Sequence, residues 1–295
     1  MRKINTLLLC SLLIGSVLFA QKKSISSFYI SNMNVINPAY AGVDNLTLFT
    51  TTMRKQWTGI VDAPETQTVS ISTPVKKNLG LGLSIINDKT FIEKQTYVTA
   101  DFSYKLKMSE AAAFYLGIKV GGNFYNVNTS GLETYAIVSD PVMQSVSDFN
   151  PNIGVGALYK NGAMDVSLAV PAMFKTSRAI NDLQYAMEVA QDPHYYFSSG
   201  YDFHINNSLT DLTLKPSVLL RYQKGTPLSV DFTTMLKINK KLNVGILYRT
   251  DKAYSSMATI EFGNHFIFGF AYEKSTLTEL TSARNTNEFL LQYKF

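Results

Sequence analysis

The fold of this chain is decided by the stretch Val98-Thr99-Ala100-Asp101-Phe102-Ser103-Tyr104-Lys105-Leu106. Apolar and polar side chains alternate along it with a period of two. Successive side chains of a β-strand point to opposite faces of a sheet. The stretch is therefore predicted to be a strand with one apolar face and one polar face, and the polar face carries a charged residue, Asp101, in mid-strand.

The same alternation recurs along the chain, for example in Leu79–Ile85, Phe114–Val120 and Leu212–Tyr222. A soluble β-sandwich would also alternate, but mid-strand charges beside glycines favour a wet and crowded barrel lumen. Aromatic residues at strand ends favour a girdle at a membrane interface. The mid-strand charges are Asp101, Lys119, Lys215, Arg221 and Arg249, and the aromatic residues are Tyr104, Tyr222, Tyr248 and Tyr272.

Counting the alternating segments predicts about fourteen strands, an even number, as single-chain bacterial barrels prefer. They lie near residues 46–56, 65–75, 79–88, 94–107, 112–127, 150–160, 163–171, 194–205, 211–223, 227–238, 241–250, 255–263, 264–274 and 286–295. The last segment alternates through Phe289, Leu291, Tyr293 and Phe295, like the C-terminal signal strand of outer-membrane barrels. The predicted fold class is all-β, a transmembrane antiparallel β-barrel preceded by a cleaved signal peptide.

The N-terminus has the pattern of a secretory signal peptide. Arg2 and Lys3 precede an apolar run, Leu7–Leu18, which is too short to favour a retained spanning helix. Cleavage is predicted after Ala20; lipidation of Cys10 is the alternative. The predicted organisation is a signal peptide (1–20), an N-terminal arm (21–45) and an outer-membrane β-barrel (46–295). The arm is expected either in the periplasm or inside the lumen.

Composition excludes several classes of function. The 295 residues carry a formal charge of +5 without a run of Lys or Arg, which argues against a nucleic-acid partner. A mean hydropathy of +0.01 is too low for a helical membrane protein. The one cysteine, Cys10, lies in the signal peptide, so the mature chain is predicted to have neither cysteine catalysis nor thiolate metal sites.

No constellation of residues indicates an enzyme. The histidines are His194, His204 and His265. They are not at metal-ligand spacing. A lipid hydrolase is one alternative, because Asn206, Asn207 and Ser208 follow His204, but these residue types are also ordinary turn formers. We therefore predict no enzymatic activity, no cofactor and no metal.

Turns and loops are predicted from the residues between the strands. Tight turns are expected at Asn161-Gly162, Lys224-Gly225 and Gly263-Asn264, where Gly or Asn adopts a positive φ. Two long loops are expected at Asn128–Asp148 and Ala172–Asp192. The second contains Ala179–Ala190, a weakly amphipathic run that suits a short helix. Both are candidate extracellular recognition loops.

One block of sequence is specific enough to suggest a family. It comprises Asn37-Pro38-Ala39-Tyr40-Ala41-Gly42, Arg54-Lys55-Gln56-Trp57-Thr58-Gly59 and Pro64-x-Thr66. This block resembles the PorP/SprF family of outer-membrane proteins, which are tied to type IX secretion and gliding motility in Bacteroidetes-type bacteria. Further segments with the same resemblance are Phe149–Ala157, Ser167–Pro171, Leu214–Ser217 and Gly245–Arg249. Departures are mild and lie at Phe270–Glu273 and Asn287-Glu288.

The resemblance implies a monomeric outer-membrane barrel that helps to export, or to hold at the surface, a large secreted protein such as an adhesin. Its implied partners are the lipid bilayer, the type IX machinery and that secreted protein, with no cofactor. The implied partner-binding or family-motif residues are Asn37, Pro38, Tyr40, Gly42, Arg54, Gln56, Trp57 and Gly59.

These motif residues also have a structural interpretation, as a turn at Asn37-Pro38 and an interface anchor at Trp57. Alternation would place Arg54, Gln56 and Thr58 on the lumen face, with Lys55, Trp57 and Gly59 on the other face. The alternative function is a transport channel for small solutes. Its lining charges would be Lys119, Lys215, Arg221 and Arg249.

Overall fold

The computed structural model describes residues 25–128, 146–175, 192–207, 210–276 and 285–295. The predicted signal peptide and the Ala179–Ala190 segment lie outside these residues, as do parts of the two predicted long loops. Within the described ranges, no helix has the length and apolar character needed to cross a membrane.

Most of the described chain is β-strand. The strands are β1 (Leu48–Lys55), β2 (Glu65–Lys76), β3 (Leu79–Thr90), β4 (Glu93–Lys107), β5 (Ala112–Val127), β6 (Val146–Asn161), β7 (Met164–Val170), β8 (His194–Tyr201), β9 (Phe203–Asn207), β10 (Thr210–Gln223), β11 (Ser229–Ile238), β12 (Leu242–Arg249), β13 (Ala253–Phe262), β14 (Phe266–Ser275) and β15 (Asn285–Lys294). Two 3-10 helices precede them, at Ser27–Val35 and Pro38–Tyr40.

The strands form one closed antiparallel sheet. Apart from β8 and β9, each strand pairs with its neighbours in the sequence, and β15 pairs with β1 over eight residue pairs to close the barrel. β8 and β9 pair with successive parts of β10 and share one position in the wall. The fifteen strands therefore occupy fourteen positions, and the predicted barrel of about fourteen strands is confirmed.

A proline explains the break between β8 and β9. Pro216 lies in β10 where its partner changes from β9, at Leu214, to β8, at Ser217. Proline has no N–H to donate to a ladder, so it is tolerated where pairing is interrupted. Asp202 occupies the gap, and its carboxylate lies 3.5 Å from Lys215 Nζ.

The two faces of the wall have the predicted characters. In β4, Asp101 and Ser103 are buried on the lumen side, whereas Phe102 and Tyr104 are about half exposed on the outside. The outward side chains of most strands are apolar, as a lipid-facing surface requires.

Aromatic pairs border this outer surface at both ends. At one end, the ring centroids of Tyr195 and Tyr222 are 6.1 Å apart, and those of Tyr248 and Tyr254 are 5.0 Å apart. At the opposite end, the ring centroids of Tyr293 and Phe295 are 4.7 Å apart. Two aromatic belts of this kind are typical of membrane barrels.

The connections divide the barrel into two unlike ends. At the long-loop end the connections are residues 56–64, 91–92, 128–145, 171–193, 224–228, 250–252 and 276–284. At the short-turn end they are residues 77–78, 108–111, 162–163, 208–209, 239–241 and 263–265. The positive φ predicted for the tight turns is confirmed at Gly162, Gly225, Gly263 and Asn264.

Three details of the prediction are wrong. β1 ends at Lys55, and Trp57 and Gly59 have φ values of +50° and +98°, so the two-face alternation does not continue to Gly59. β6 begins at Val146, four residues before the predicted start. Asn206 and Asn207, which were predicted to lie in a turn after the strand that contains His204, lie in β9.

Candidate functional site

The described residues before β1, which begin at Ile25, occupy the barrel lumen. We call residues 25–45 the luminal arm. Tyr29 Oη lies 3.0 Å from Thr233 Oγ1 of β11, and Ser70 Oγ of β2 donates to Asn32 Oδ1 at 2.8 Å. Ser103 Oγ of β4 donates to the carbonyl oxygen of Ala39 at 3.0 Å. The arm therefore contacts strands on different sides of the lumen.

Asn37 and Pro38 form the turn at the centre of the arm. Asn37 Oδ1 accepts from the Ala39 N–H at 2.9 Å, which caps the second 3-10 helix, and Pro38 occupies the first helical position. Asn37 Nδ2 donates to the carbonyl oxygens of Ala157 in β6 and Leu168 in β7, both at 3.2 Å. A single buried amide thus shapes the turn and joins it to the wall.

Glycines of the wall allow the arm to approach closely. A Cβ on Gly156 would collide with the Asn37 side chain, and one on Gly117 would collide with the backbone at Pro38 and Ala39. A Cβ on Gly80 would collide with the backbone of Ala41. One glycine in each of β3, β5 and β6 therefore makes room for the arm.

Gly42 and Tyr40 complete the first half of the motif. Gly42 has a φ of +70°, and its N–H donates to Ser72 Oγ at 2.8 Å. A side chain there would be strained and would lie 2.8 Å from the backbone of β2 and β3. Tyr40 borders a cavity of about 130 Å³ beside the arm, which Lys160, Asp165 and Lys215 also line.

The start of the arm packs on an apolar part of the lumen wall. Phe28 and Tyr29 are 2% and 4% exposed. Their buried partners are Ile36 of the arm and Leu219, Leu247, Met257, Ala271 and Leu290 of the wall. In a water-filled pore these wall residues would face water, so the arm provides the contact that buries them.

A chain of buried ion pairs lies near the long-loop end, and we call it the charged belt. Arg54 pairs with Glu288, and its Nη2 lies 2.7 Å from Glu273 Oε1. Arg249 contacts Glu273 at 3.1 Å and Asp231 at 3.0 Å. Arg221 extends the belt, at 3.5 Å from Asp231 and 3.1 Å from Asp251.

The charged belt holds the first described residues of the arm. Both carboxylate oxygens of Glu288 accept from the Ser27 N–H, at 3.0 and 2.9 Å. Ser26 Oγ and Ser27 Oγ donate to the same carboxylate at 2.6 and 2.9 Å. Arg249 Nη2 donates to the Ile25 carbonyl oxygen at 3.2 Å. Charged partners make such hydrogen bonds roughly twice as strong as neutral ones.

The second half of the motif lies in the connection between β1 and β2. The Gln56 N–H donates to the Pro64 carbonyl at 2.9 Å, and the Thr58 N–H donates to the Asn285 carbonyl at 2.9 Å. Trp57 is half-buried and Gly59 exposed in this connection. The hydrogen bonds fix the loop against β15 at the long-loop end.

The eight predicted motif residues therefore do not form one site. Asn37, Pro38, Tyr40 and Gly42 seat the arm in the lumen, and Arg54 belongs to the charged belt. Gln56, Trp57 and Gly59 lie in the β1–β2 connection.

Sequence reasoning missed the carboxylates of the charged belt, above all Glu288, Glu273 and Asp231. The usable signal was that Arg54, Arg221 and Arg249 occur on the polar face of their strands, since buried cations need anionic partners.

Two of the histidines considered for an enzymatic site are hydrogen-bonded to neighbouring groups of the barrel. His204 Nδ1 lies 3.1 Å from Thr213 Oγ1, and His265 Nδ1 lies 2.9 Å from the Lys294 carbonyl oxygen. In the described ranges, no group of three or more His, Cys, Asp or Glu side chains is arranged to hold a metal ion.

The backbone of this chain was compared with those of solved structures. Outer membrane protein Omp33 of Acinetobacter baumannii superposes with a TM-score of 0.51 at 8% identity, covering 85% of this chain and 98% of that one. OmpF of Salmonella typhi gives 0.39 at 9% identity, covering 85% and 96%, and the KdgM porin gives 0.38 at 12%, covering 84% and 99%. The likeness to Omp33 shows the barrel fold alone.

No curated protein sequence matches the chain. A family model, that of the type IX secretion system membrane protein PorP/SprF, matches residues 18–293, nearly the whole chain. The lumen-seated Asn37–Gly42 motif, the β1–β2 connection and the membrane barrel all lie within this match. The chain belongs to the PorP/SprF family of type IX secretion system membrane proteins.

Proposed function

We propose that this barrel works with the type IX secretion machinery to export a particular large, adhesin-like protein, or to hold it at the cell surface. The observation that carries the proposal is that the luminal arm lies inside the barrel and contacts several strands of its wall. A barrel whose interior holds its own arm has its loops and rims free for recognition of another protein.

The contacts of the arm favour this function over a solute channel. Each luminal cation proposed to line a pore is engaged: Lys119 lies 2.6 Å from Asp101 and donates to the Asn34 carbonyl, and Lys215 lies 2.8 Å from Asp165. Arg221 and Arg249 belong to the charged belt. The apolar wall residues that pack against Phe28 would be unfavourable in contact with water, which also favours an arm that stays in the lumen.

Orientation follows from loop length. Outer-membrane barrels keep short turns in the periplasm and longer loops outside the cell. By this rule the long-loop end, with Trp57 and the charged belt, faces outwards, and it is the side on which we place the exported protein.

The decisive experiment is affinity purification of the tagged barrel from native outer membranes, with mass spectrometry of what is recovered. We expect one dominant secreted protein together with type IX components, at levels far above those recovered with an unrelated tagged barrel. Recovery of neither would refute the proposal. Large, steady single-channel currents from the purified full-length protein would favour the channel.

A further inference from the structure

Two lysines face each other on the outer surface of the barrel near the long-loop end. Lys89 of β3 pairs directly with Lys94 of β4, next to the two-residue connection 91–92. Even-numbered residues of β4 face outwards, as the half-exposed Phe102 and Tyr104 show, so Lys94 and its partner Lys89 also face outwards. Both lysines are exposed.

This lysine pair has no anionic partner among the described residues. Like charges directly opposite each other on neighbouring strands destabilise a sheet. On its other side Lys89 stands opposite Glu65 of β2. The Glu65 carboxylate, however, lies 3.7 Å from Lys55 Nζ and accepts from Gln67 Nε2 at 2.8 Å, without an ion pair to Lys89. The two ammonium groups can therefore accept an anion from outside the chain.

A third donor lies on the same face, two residues along β3. Asn87 pairs with Thr96, and Thr96 Oγ1 donates to Asn87 Oδ1 at 3.2 Å. Since the amide oxygen is engaged, Asn87 Nδ2 is left as a donor. One amide and two ammonium groups at adjacent positions suit a phosphate group, which accepts several hydrogen bonds at once.

Apolar side chains continue this face towards the middle of the barrel. Ile85 pairs with Val98, and Leu83 pairs with Ala100. Ile85 and Leu83 are 42% and 47% exposed. The outward apolar surface of a membrane barrel contacts lipid tails, so the lysines at its border lie at the level of the lipid headgroups.

The hairpin that carries the lysines is fixed at its tip. The Phe91 N–H donates to the Asp62 carbonyl at 3.1 Å, and the Asn128 N–H donates to the Ile92 carbonyl at 3.1 Å. These bonds join the tip to the β1–β2 connection on one side and to the end of β5 on the other. Donors that are held in place before binding lower its entropic cost.

We propose that Lys89, Lys94 and Asn87 bind the phosphate group of an anionic lipid in the leaflet at the long-loop end. By the orientation given above this is the outer leaflet, whose lipids are phosphorylated glycolipids. A phosphate joined to acyl chains fits both the donors and the apolar surface beside Ile85. An acidic protein segment or a free phosphate fits only the donors. The site goes beyond the proposed function, because it concerns the membrane around the barrel and not the exported protein.

The test is lipid binding by the purified full-length protein in detergent, measured by native mass spectrometry. The probes are monophosphoryl lipid A, the same lipid A after enzymatic removal of its phosphate, and phosphatidylglycerol. We expect the wild type to bind monophosphoryl lipid A about tenfold more tightly than either of the other two lipids, because only the first supplies both a phosphate monoester and the glycolipid chains.

A double variant removes the two charges. Lys89→Gln/Lys94→Gln keeps polar side chains at both positions, and it should weaken the binding of monophosphoryl lipid A about tenfold. The matched control is Lys76→Gln/Lys77→Gln, which removes two exposed charges at the opposite end of the barrel and should bind like the wild type. Heat-modified migration in gels checks that each variant is folded.

A second measurement uses the repulsion between the two lysines. In lipid-free detergent the double variant at Lys89 and Lys94 lacks this repulsion, so it should unfold at a higher urea concentration than the wild type. Monophosphoryl lipid A should raise the unfolding midpoint of the wild type, because a ligand that binds only the folded state stabilises it. It should leave the midpoint of the double variant unchanged.

Equal binding of monophosphoryl lipid A by the double variant and the control would overturn the inference. Equal affinity of the wild type for phosphatidylglycerol, or displacement of the lipid by inorganic phosphate alone, would also overturn it, since the glycolipid would not be selected. If the double variant loses the exported protein in the purification above but keeps the lipid, the lysines recognise protein and the inference is wrong. The proposed function is tested separately, because that purification with the wild type does not depend on lipid binding.

Discussion

At the scale of single residues, Glu288 joins the luminal arm to the barrel wall. One carboxylate pairs with Arg54 and accepts from the backbone and hydroxyl of Ser27 and the hydroxyl of Ser26. Each of these donors is at least partly buried, so none has water as a ready substitute. The residue therefore couples the arm to the closing seam of the barrel.

Glu288→Gln should destabilise the protein. The neutral amide keeps the shape of the side chain but leaves Arg54 with one fewer carboxylate, and breaking a buried pair costs about 3 kcal/mol. The measurement is equilibrium unfolding in urea from lipid vesicles, followed by fluorescence of Trp57, the single tryptophan of the chain. The control is Glu110→Gln, whose carboxylate is 94% exposed beside Lys107. Equal unfolding midpoints for the two variants would contradict the expectation.

Gly117→Ala should displace the arm. The added Cβ would overlap the backbone of Pro38 and Ala39, which cannot move as a flexible side chain does. We expect easier proteolysis within residues 25–45 and measurable current in planar bilayers. Gly200→Ala is the matched control, because a Cβ there meets only the ends of the Lys215 and Asp165 side chains. A current from both variants, or from neither, would argue that the arm does not depend on the missing side chain at Gly117 for its position.

At the scale of elements, the strands were largely predictable from the sequence and the arm was not. A period of two tells which side chains share a face, and this placed nearly every strand within a few residues. It does not tell what fills the enclosed space, so the position of the arm was left open between lumen and periplasm. The separation of the two halves of the motif was hidden for the same reason, since spacing does not show that Asn37 and Trp57 lie in different parts of the molecule.

Deleting residues 25–42 should convert the barrel into an open pore. The deletion exposes Leu219, Leu247 and Leu290 to water inside the lumen and removes the backbone that fills it. We expect steady single-channel currents in planar bilayers, in contrast to the intact protein.

The control keeps the arm and weakens only its apolar contact. Phe28→Ala should cost about 3 kcal/mol of stability, as for other buried aromatic truncations, without producing a current. Currents of similar size from the intact chain and the deletion variant would show that the arm does not close the lumen.

At the scale of the whole molecule, the difference between the two ends sets the orientation in the membrane. Val61, in the β1–β2 connection, is 86% exposed at the long-loop end. Lys77 lies in the exposed β2–β3 turn at the opposite end.

In a Cys10→Ser background, Val61→Cys should react with a membrane-impermeant maleimide on intact cells. Lys77→Cys should react only after the outer membrane is permeabilised, because short turns face the periplasm. The reverse pattern would place the exported protein on the wrong side for the function proposed above.

The luminal arm also helps the barrel wall to resist lateral tension in the membrane. Gln292 of β15 donates to the Ser31 carbonyl at 3.2 Å and to Thr50 Oγ1 of β1 at 2.8 Å, so the arm and a side-chain bond both reinforce the seam where the barrel closes. β7, by contrast, has only seven residues and pairs with β8 at six positions. Within the described residues we therefore expect lateral tension in the bilayer to separate β7 from β8 more readily than β15 from β1.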